Sequence, residues 1–437
     1  MDTAEADRLT AQYPLGELLN EGKTKKIYQV KNNTGLVILV SKDNITAGDG
    51  AKHSVIPEKG ALSNETACSV FRFLKKCGVR VAFVEQDSAN SFVAHKCAML
   101  PYEVVVRREA HGSYCKRYPH VTKGELFPQL LVEIFLKTKD RKWGVHTLPC
   151  DDPLLSHVRE TESIRLYNPT QPMYAQKPFL SLHEMEVFRD EEEWKLFPHM
   201  RRVAQDFFLM LEKAWALEGG RLVDFKVEFG LDDFGNLLLA DVIDNDSWRV
   251  LENNSHIDKQ LYRDGSTLKD VGAAYRRVAE ITRHFHVPQQ QIILWRGSEK
   301  DDNAAYFSAL GPWSSLVSVV TCSTHKEPER SVVALNSLVH KVPDSVVIAH
   351  IGKSNGAGPT LSALSTVPVI TVPALINDFP LDLWSSVRTP HDAPVMTVLS
   401  PGNAVLAALQ ILSARNPAIY AYLRADIERR RVAPYQL

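Results

Sequence analysis

The first half of the chain alternates between short β-rich runs and amphipathic helical stretches. The runs KKIYQV and GLVILVS flank turn-forming residues 31–35, which predicts a hairpin. Apolar residues recur at helical spacing over 61–76, and a longer helix is expected at about 191–217. Further strands are predicted at 79–84, 102–106, 222–229 and 236–242. Hairpins with segregated helices indicate an α+β domain, which we assign to residues 1–265.

The pattern changes after residue 266. Residues 268–285 form a polar, Arg-rich helical segment, interpreted as a connecting helix within 266–288. Beyond it, apolar runs at 292–295, 316–321, 345–351 and 367–372 alternate with helical segments near 329–340, 358–365, 403–413 and 418–430. Such alternation is typical of a parallel sheet covered on both faces. Residues 289–437 are therefore predicted to form an α/β three-layer domain with a parallel sheet.

The composition argues against several classes of protein. The 437 residues include 51 Lys+Arg and 52 Asp+Glu, so the formal net charge is −1, which disfavours nucleic-acid and membrane-surface partners. The acidic, polar first ten residues do not resemble a secretory signal, and no apolar run approaches the ~18 residues that span a bilayer. The six cysteines are scattered without a CxxC pair, which fits reduced thiols and a cytoplasmic protein.

The segment EGKTKKIY, residues 21–28, places a glycine before a lysine-rich strand. Gly22 would let backbone amides approach a phosphate closely. Lys23 and Lys25 would share one face of an extended strand, so that two ammonium groups could meet one polyphosphate. A solvated edge strand protected by lysines is an equally good interpretation of these residues alone.

Charged and apolar residues alternate in VDFKVEFG, residues 223–230. The short turn at 232–235 would bring Glu228 close to Asp241 on the paired strand. Two neighbouring carboxylates commonly anchor Mg²⁺, whose coordination substrate phosphates then complete. The alternative is a charged outer face of an antiparallel sheet, although the several carboxylates of LADVIDNDSW would repel one another without a cation.

The segment RREAHGSYCKR, residues 107–117, combines guanidinium groups with a Gly-Ser turn. Arginine matches phosphate bidentately, and Ser113 adds a hydroxyl and an amide, so the segment suits a ribose phosphate. A solvated basic loop is an equally good interpretation. His111 and Cys115, four residues apart, give only weak support for a nucleophilic pair.

Five segments, EGKTKKIY, SKDNITAGDG, VVVRREAHGS, LVDFKVEFG and LADVIDNDSWR, occur in this order over most of the first domain. They resemble the phosphoribosylaminoimidazole-succinocarboxamide synthetases of purine biosynthesis. The resemblance implies an ATP-binding α+β domain and an ATP- and Mg²⁺-dependent ligase that joins aspartate to carboxyaminoimidazole ribotide, with release of ADP and phosphate. Lysines and Mg²⁺ suit this chemistry because they neutralise a transferring phosphoryl group. A small-molecule kinase is the more remote alternative. The two can be distinguished because only the ligase requires aspartate to form its product.

The same resemblance implies roles for individual residues. ATP would contact Lys23, Lys25, Met99 and Lys226, and Mg²⁺ would be held by Glu228 and Asp241. The ribotide would be bound by Arg107, Ser113, Asp246 and Arg249. A loop that helps to form the ribotide and aspartate site would contain Asp43, Thr46 and Asp49. Lys226 and Asp246 would act directly in catalysis.

Three predicted strands of the second domain end in polar, glycine- or histidine-containing segments: GSEKD at 297–301, CSTHK at 322–326 and GKSNGAGP at 352–359. Ligands of open α/β sheets bind at the carboxyl ends of strands, so these segments are expected to form one site. A Gly-Ser turn that leads into a helix offers amides and a hydroxyl to phosphate. His325, taken alone, is equally well a structural histidine.

These features, with ITVP at 370–373 and DLWSSVR at 382–388, resemble the animal-type phosphoribosylaminoimidazole carboxylases from about Gln290 onward. The resemblance implies addition of CO₂ to carbon 4 of aminoimidazole ribotide, without ATP or biotin, as the step before the ligase. The ribotide would be bound by Ser298, Asp301, Ser323 and Lys326. The CO₂ pocket would be lined by Lys353, Ser354 and Gly356. His325 would move the proton of carbon 4, and the fused chain would be a bifunctional homo-octamer.

The sequence departs from the carboxylase pattern at three positions. Lys300 replaces a serine, Thr324 replaces an alanine and Lys353 replaces an arginine. Lysine keeps the charge of arginine but loses its bidentate geometry. A second hypothesis is therefore that this domain is chiefly an assembly core for the synthetase, although the retained His325 and SNGxGP loop argue against it.

Overall fold

The computed structural model describes residues 12–47 and 52–430. Asp49, which the resemblance assigns to a substrate loop, lies outside these residues. The described residues form two compact units: the first contains those up to His286 together with residues 424–430, and the second is Val287–Leu423. In the part of the chain that the structure describes, no helix has both the length and the apolar character needed to cross a bilayer. The domain limits expected from the sequence stay predictions.

The first unit is built mainly on antiparallel β-structure. Its strands are β1 Leu15–Glu21, β2 Lys25–Val30, β3 Asn33–Ser41, β4 Asn44–Ala47, β5 Lys52–Val55, β6 Phe83–Gln86, β7 Ser91–His95, β8 Ala98–Glu109, β9 Leu126–Leu136, β10 Lys142–Trp143, β11 His146–Thr147, β12 Leu154–Val158, β13 Ser163–Tyr167, β14 Leu180–His183, β15 Gly220–Leu231, β16 Leu237–Ala240, β17 Trp248–Glu252 and β18 Ser255–His256. The two larger sheets have the orders β1-β2-β3-β7-β6 and β14-β13-β12-β9-β8-β15-β17-β18, and β16 also pairs with β15. The predicted hairpins β2–β3 and β15–β16 are both present.

The helices described in this unit are α1 Lys59–Lys76, α2 Ser113–Arg117, α3 Glu191–Leu217, α4 Gln260–Arg263 and α5 Leu268–Thr282. Helix α3 begins where the Asp190 carboxylate accepts a hydrogen bond from the Glu193 amide, and its buried face packs against β15. Helix α5 begins in the same way at Thr267 and packs against α1. The segment interpreted as a connector therefore lies within the first unit and brings Tyr275 into its interior.

The second unit is a parallel sheet of β19 Gln291–Arg296, β20 Val317–Thr321, β21 Ser345–Ile351, β22 Val369–Pro373 and β23 Met396–Thr397. The order is β20-β19-β21-β22-β23. The described helices are α6 Ala304–Leu310, α7 Pro328–Lys341, α8 Ala357–Ala363, α9 Leu383–Val387 and α10 Pro401–Ser413, and the first half of α11 Pro417–Arg430 also belongs to this unit. Alternate strand residues enter two separate cores, one around Ile292 and Ile348 and the other around Ile293 and Val347. Buried residues on both faces of the sheet confirm the predicted three-layer α/β fold, and the first unit confirms the α+β prediction.

Candidate functional site

Two cavities of the first unit differ in the chemistry of their walls. Cavity A, of about 430 Å³, is lined by the cations Lys23, Arg107, Lys226, Arg249, Lys259 and Arg263 and by the anions Glu103, Asp152, Asp224 and Asp246. Cavity B, of about 480 Å³, has apolar walls that include Leu19, Ile27, Val37, Phe83 and Met99, and a polar end with Lys25, Lys137, Glu228 and Asp241. Cavity A thus suits a small ligand with several charges. Cavity B suits a ligand with a flat apolar part and a charged end.

Strand β15 connects the two cavities. Asp224, Lys226 and Glu228 alternate along it and share one face of the sheet; the first two line cavity A and the third lines cavity B. The Nζ atom of Lys226 lies 2.6 Å from Glu103 Oε1 and 3.5 Å from Glu228 Oε1. Burial lowers the pKa of Lys226, but the nearby carboxylates raise it by a larger amount. The net shift of the pKa is upward, so the ammonium stays charged. The Lys226 ammonium therefore belongs to cavity A and contacts a carboxylate of cavity B.

The polar end of cavity B contains the predicted pair of carboxylates. Glu228 lies opposite Ala240 in the β15–β16 ladder, so Asp241 follows directly beside it. Lys25 forms an ion pair with Asp241, and Lys137 forms one with Glu228. Burial raises the pKa of Asp241, but Lys25 lowers it below its ordinary value, which keeps this carboxylate ionised.

This donor set fits Mg²⁺, which commonly uses one or two protein carboxylates and completes its coordination with phosphate oxygens. Within the described residues, no group of three or more His, Cys, Asp or Glu side chains is placed to hold a metal ion, so the phosphate oxygens would have to complete the coordination. The pair is therefore suited to a metal that arrives with a nucleotide.

The two lysines of the EGKTKKIY segment line different cavities. The amide of Gly22 donates to the carbonyl of Lys25 over 2.9 Å, which closes a turn, and β2 begins only at Lys25. The alternation of a strand therefore does not extend back to Lys23. Lys25 lines cavity B, whereas Lys23 lines cavity A, so the expectation that both point to one face is wrong.

Met99 lies on β8 at the wall of cavity B, opposite Gly230 of β15. A β-carbon at Gly230 would lie 3.2 Å from Met99 Sδ and 2.6 Å from Cys97 Cβ. The glycine therefore leaves the space that this wall of the cavity needs.

Two arginines meet one carboxylate at the base of cavity A. The Oδ2 atom of Asp224 accepts hydrogen bonds from Arg107 Nη1 at 2.5 Å and from Arg249 Nη1 at 2.7 Å. Arg107 also donates to Glu133 over 2.8 Å and to the Ser113 hydroxyl over 3.3 Å. Burial raises the pKa of Asp224, but Arg249 and Arg107 lower it below its ordinary value. Among the predicted ribotide residues, Arg107 and Arg249 are thus held together by an ionised, buried carboxylate, and Arg107 in turn contacts Ser113.

Asp246 lies in a second charged cluster at the wall of cavity A. Its carboxylate is 3.2 Å from Lys259 Nζ and 3.6 Å from the nearly inaccessible Lys59 Nζ, and it accepts a hydrogen bond from the Tyr275 hydroxyl. Burial raises the pKa of Asp246, but Lys59, Lys259 and Tyr275 together bring it well below its ordinary value. Burial and Asp246 raise the pKa of the neighbouring Asp244.

The loop residues are placed differently from one another. Thr46 lines cavity A, but the Asp43 carboxylate accepts a hydrogen bond from the Gly60 amide over 2.8 Å and so lies against the first turn of α1. Asp43 therefore supports the helix instead of lining either cavity. The weakly supported nucleophilic pair has no matching geometry, because His111 faces Glu109 at 3.5 Å and burial raises the pKa of Cys115.

Sequence reasoning missed five residues that line these cavities, Glu103, Lys137, Asp152, Lys259 and Arg263. It also missed Lys59 and Tyr275, which contact Asp246 from behind the wall of cavity A. Lys259 and Arg263 are four residues apart in DKQLYRD, and this spacing would have indicated a basic helical turn at α4. Lys59 and Tyr275 could not be paired in this way, because their approach depends on the packing of α1 against α5.

In the second unit, two of the predicted strand ends are in contact. A β-carbon at Gly356 would lie 2.6 Å from Cδ2 of the His325 ring, so the imidazole rests directly on this glycine. The Ser354 amide donates to the Asp382 carboxylate over 2.9 Å, and the Asn355 amide donates to Ser385 over the same distance. The loop that supports His325 is thus held by the DLWSSVR segment.

The remaining strand-end residues have separate contacts. The Ser298 amide donates to Asp301 Oδ2 over 2.9 Å, which closes the loop after β19. The Ser323 carbonyl accepts the Lys326 amide over 3.0 Å. Lys353 places its ammonium 4.0 Å from the centre of the Phe379 ring.

Comparison with known proteins identifies two family matches. The SAICAR synthetase family matches residues 18–147 and 175–281, and the AIR carboxylase family matches residues 297–432. The chain is 33% identical over 427 residues to the bifunctional phosphoribosylaminoimidazole carboxylase/phosphoribosylaminoimidazole succinocarboxamide synthetase of Drosophila melanogaster, which covers 94% of this chain and 92% of that protein. It is 39% identical over 276 residues to the phosphoribosylaminoimidazole-succinocarboxamide synthase of Chloroflexus aggregans, covering 61% of this chain and 96% of that protein. The crystal structure of a synthase from Ehrlichia chaffeensis is 27% identical and covers 61% of this chain and 98% of its own, with a TM-score of 0.49.

Proposed function

The chain belongs to the family of bifunctional enzymes that join a SAICAR synthetase to an AIR carboxylase in purine biosynthesis, and we propose how its sites divide the two reactions. Both resemblances stated from the sequence are confirmed at the level of the family. The ligase reaction belongs to the first unit and the lyase reaction to the second. The roles of individual residues are proposals.

Cavity B is the proposed ATP site. Its apolar walls, with Met99, accept the adenine, and Lys25 lies at its polar end toward the phosphates. Lys226 would reach the phosphates from cavity A, because its Nζ atom contacts Glu228 of that polar end. Glu228 and Asp241 would hold Mg²⁺ together with phosphate oxygens. When bound, the ion would reduce the negative charge on the phosphoryl group in transfer.

Cavity A is the proposed site for carboxyaminoimidazole ribotide and aspartate. These ligands carry a phosphate and several carboxylates, and the cations of the cavity outnumber its anions. Arg249, with Arg107 and Ser113 behind it, is proposed to bind the ribotide phosphate. Asp246 stays ionised and offers hydrogen-bond acceptors to the ribotide, while Lys259 and Arg263 add positive charge for carboxylates.

The observation that carries this assignment is the position of Lys226 between the two cavities. In the proposed reaction the γ-phosphoryl group of ATP moves to the ribotide carboxylate, and ADP leaves. The amine of aspartate then attacks the acyl phosphate, an amide bond forms and phosphate leaves. Lys226 would stabilise the charge of the phosphoryl group as it passes from one cavity to the other.

The test is Lys226→Met in the full chain. We expect ligation of aspartate to supplied carboxyaminoimidazole ribotide to fall by about a hundredfold or more, since one fixed donor to transition-state charge typically has that effect. Carboxylation by the same preparation is the internal control and should not change. Ligation at the rate of the parent would show that Lys226 is not at the point of transfer. Formation of a phosphorylated product without aspartate would favour the kinase alternative.

The strand ends of the second unit are the proposed carboxylase site. Ser298, Asp301, Ser323 and Lys326 are proposed to bind the ribotide, and Lys353, Ser354 and Gly356 to line the pocket for CO₂. Carbon 4 of the ribotide is enamine-like and attacks CO₂, after which His325 would remove its proton. Neither ATP nor biotin is needed for this step.

Carboxylation is tested with aminoimidazole ribotide and bicarbonate, without ATP and aspartate. The parent should form the carboxylated ribotide, and His325→Asn should not. Ligation without any carboxylation by the parent would instead favour the hypothesis that the second unit is chiefly an assembly core.

We further propose that the chain forms a homo-octamer and is cytoplasmic. The free thiols of all six cysteines support a location in a reducing compartment.

A further inference from the structure

Arg107 of cavity A lies between two buried carboxylates on neighbouring strands. Asp224 of β15 is directly opposite Arg107 in the β15–β8 ladder. On the other side Leu131 of β9 is opposite Arg107, so Glu133 is its diagonal neighbour on the same face of the sheet. The Glu133 carboxylate accepts a hydrogen bond from Arg107 Nε over 2.8 Å. Glu133 is not among the residues that line cavity A, so its effect on a ligand would pass through Arg107.

A second arginine fixes the other oxygen of Glu133. Arg117, the last residue of α2, forms an ion pair with Glu133 Oε1, whereas Arg107 binds Oε2. The Arg117 side chain is inaccessible to solvent, and its guanidinium lies 5.7 Å from the centre of the Phe135 ring and 5.9 Å from that of Tyr114. Burial raises the pKa of Glu133, but Arg107 and Arg117 bring it below its ordinary value. The carboxylate is therefore ionised and held in one orientation.

Arg117 is held in turn by residues 148–174, which lie between the two stretches that match the synthetase family. The Arg117 Nη1 atom donates to the Pro169 carbonyl over 3.0 Å. Strand β12 of the same segment pairs with β9 directly after Glu133. The segment therefore contacts both the strand that carries Glu133 and the guanidinium that fixes it.

We propose that Glu133 and Arg117 are positioning residues of the ligase, which hold the Arg107 guanidinium in the orientation that binds the ribotide phosphate. This inference rests on the proposed ligand of cavity A. Arginine binds phosphate through a planar fork, so the direction of the plane matters as well as the charge. Asp224 engages Nη1 and Glu133 engages Nε, and these two contacts from different strands fix the plane. Within the described residues, Nη2 makes one hydrogen bond, of 3.3 Å to the Ser113 hydroxyl, so its second hydrogen remains for the phosphate.

The experiment measures the KM for carboxyaminoimidazole ribotide in ligation by the full chain. Glu133→Met should raise this KM about tenfold or more, as for a lost charge-assisted hydrogen bond, with kcat and the KM for ATP within about twofold of the parent. Glu133→Gln keeps an acceptor for Arg107 and should give an intermediate KM. Charge alone predicts the opposite sign, because removal of an anion near a phosphate would lower the KM in both variants.

Glu212→Met is the matched control. Glu212 accepts a hydrogen bond from Arg108 Nε over 2.6 Å, and Arg108 is next to Arg107 on β8, so its side chain leaves the opposite face of the sheet. The control breaks a comparable ion pair and should lower stability without a change in the KM for the ribotide.

The double variant Glu133→Met/Arg117→Met separates positioning from stability and from charge. Glu133→Met alone leaves the buried Arg117 without its carboxylate, whereas removal of both partners should restore part of the lost stability and leaves the net charge of the parent. The KM should stay raised, because Arg107 still lacks its acceptor at Nε. Arg117→Lys keeps the charge but loses the fork between Glu133 and the Pro169 carbonyl, so it should raise the KM about threefold.

Calorimetric titration with carboxyaminoimidazole ribotide, without ATP and aspartate, gives a second measurement that does not depend on turnover. An unchanged or lower KM in Glu133→Met would overturn the proposal. So would a double variant that regains the KM of the parent together with its stability, and this variant decides if Glu133→Met alone does not fold. An unchanged KM in Arg117→Lys would remove Arg117 from the proposal. If the parent binds the ribotide in a Glu133-dependent manner but does not ligate aspartate, the positioning stands and the proposed reaction fails.

Discussion

Two glycines of the candidate sites have no room for a β-carbon. At Gly112, φ is +59° and a β-carbon would lie 2.9 Å from Arg249 Cζ. At Gly356, a β-carbon would meet the ring of His325. In both cases the backbone itself supports a side chain that the proposed reactions use. Single methyl groups at these positions therefore test the two sites separately.

We expect Gly112→Ala to weaken the binding of carboxyaminoimidazole ribotide. The new methyl group would push the Arg249 guanidinium away from Asp224, so the KM of the ligase reaction should rise about tenfold or more, as for a lost charge-assisted hydrogen bond. Gly124→Ala is the matched control, because φ is +85° there and no heavy atom lies within 4 Å of the added carbon. Both variants place a side chain at positive φ, so each should also lose about 1–3 kcal/mol of stability. An equal rise of KM in both would remove the steric argument.

Gly356→Ala should abolish most carboxylation and leave ligation unchanged. The methyl group would displace His325 from the loop on which it rests, and a proton-transfer group that has moved contributes little; losses of about 10²–10⁴-fold are typical for such groups. Gly352→Ala is the control in the same loop, since nothing lies within 4 Å of its added carbon. The two activities are measured on one preparation. Full carboxylation by Gly356→Ala would mean that His325 does not need this support.

At the scale of elements, helix α5 matters because it packs against α1 and carries Tyr275 to Asp246. The Lys59 ammonium lies 5.4 Å from the centre of the Tyr275 ring and 3.6 Å from Asp246. Two helices that are distant in sequence therefore hold one carboxylate of cavity A in its ionised form. This arrangement makes a functional residue depend on the packing of secondary structure.

Tyr275→Phe should lower the free energy of unfolding at pH 7 by about 1.5–3 kcal/mol, the usual contribution of a hydrogen bond to a charged group. The folded pKa of Asp246 lies below its ordinary value, so its stabilising effect is present above the unfolded pKa and is lost as pH falls through the folded pKa. The difference between variant and parent should therefore be constant above about pH 5 and shrink below about pH 4. Unfolding by denaturant at several pH values across this range measures the difference in stability.

The control is Tyr262→Phe, which removes a hydrogen bond of 2.9 Å from an equally buried tyrosine to the neutral Ser54 hydroxyl. The loss of unfolding free energy should be smaller, about 0.5–1.5 kcal/mol, and it should stay the same as the pH falls into the acidic range. A pH-independent difference for Tyr275→Phe as well would contradict the ionised state assigned to Asp246.

Elements with a clear local period could be predicted, and contacts that depend on packing could not. The alternation in VDFKVEFG correctly predicts a strand, and the turn after it correctly brings Glu228 beside Asp241. The same reasoning failed at Lys23, because the Gly22 turn interrupts the strand before that residue. Strands β12 and β13 lie in a stretch without a clear period. They form because β12 pairs with β9 and β13 pairs with β12 and β14, and no local pattern contains these long-range pairings.

At the scale of the whole molecule, one chain carries two consecutive reactions, since the product of AIR carboxylase is the substrate of SAICAR synthetase. We hypothesise that covalent linkage raises the local concentration of the intermediate for the second reaction. The near-balance of 51 basic and 52 acidic residues leaves the chain almost without net charge, so positive charge that attracts an anionic intermediate is local, as in cavity A.

We expect the parent chain to convert aminoimidazole ribotide to the succinocarboxamide with a shorter lag than an equimolar mixture of Lys226→Met and His325→Asn chains, mixed just before the assay. Each variant should lack one activity, so the mixture must pass the intermediate through solvent, whereas the parent holds both sites on one chain. Unlabelled carboxyaminoimidazole ribotide, added in excess, should dilute labelled product less in the parent than in the mixture. Equal lags and equal dilution would mean that linkage gives no advantage, and the two units would then act as independent enzymes.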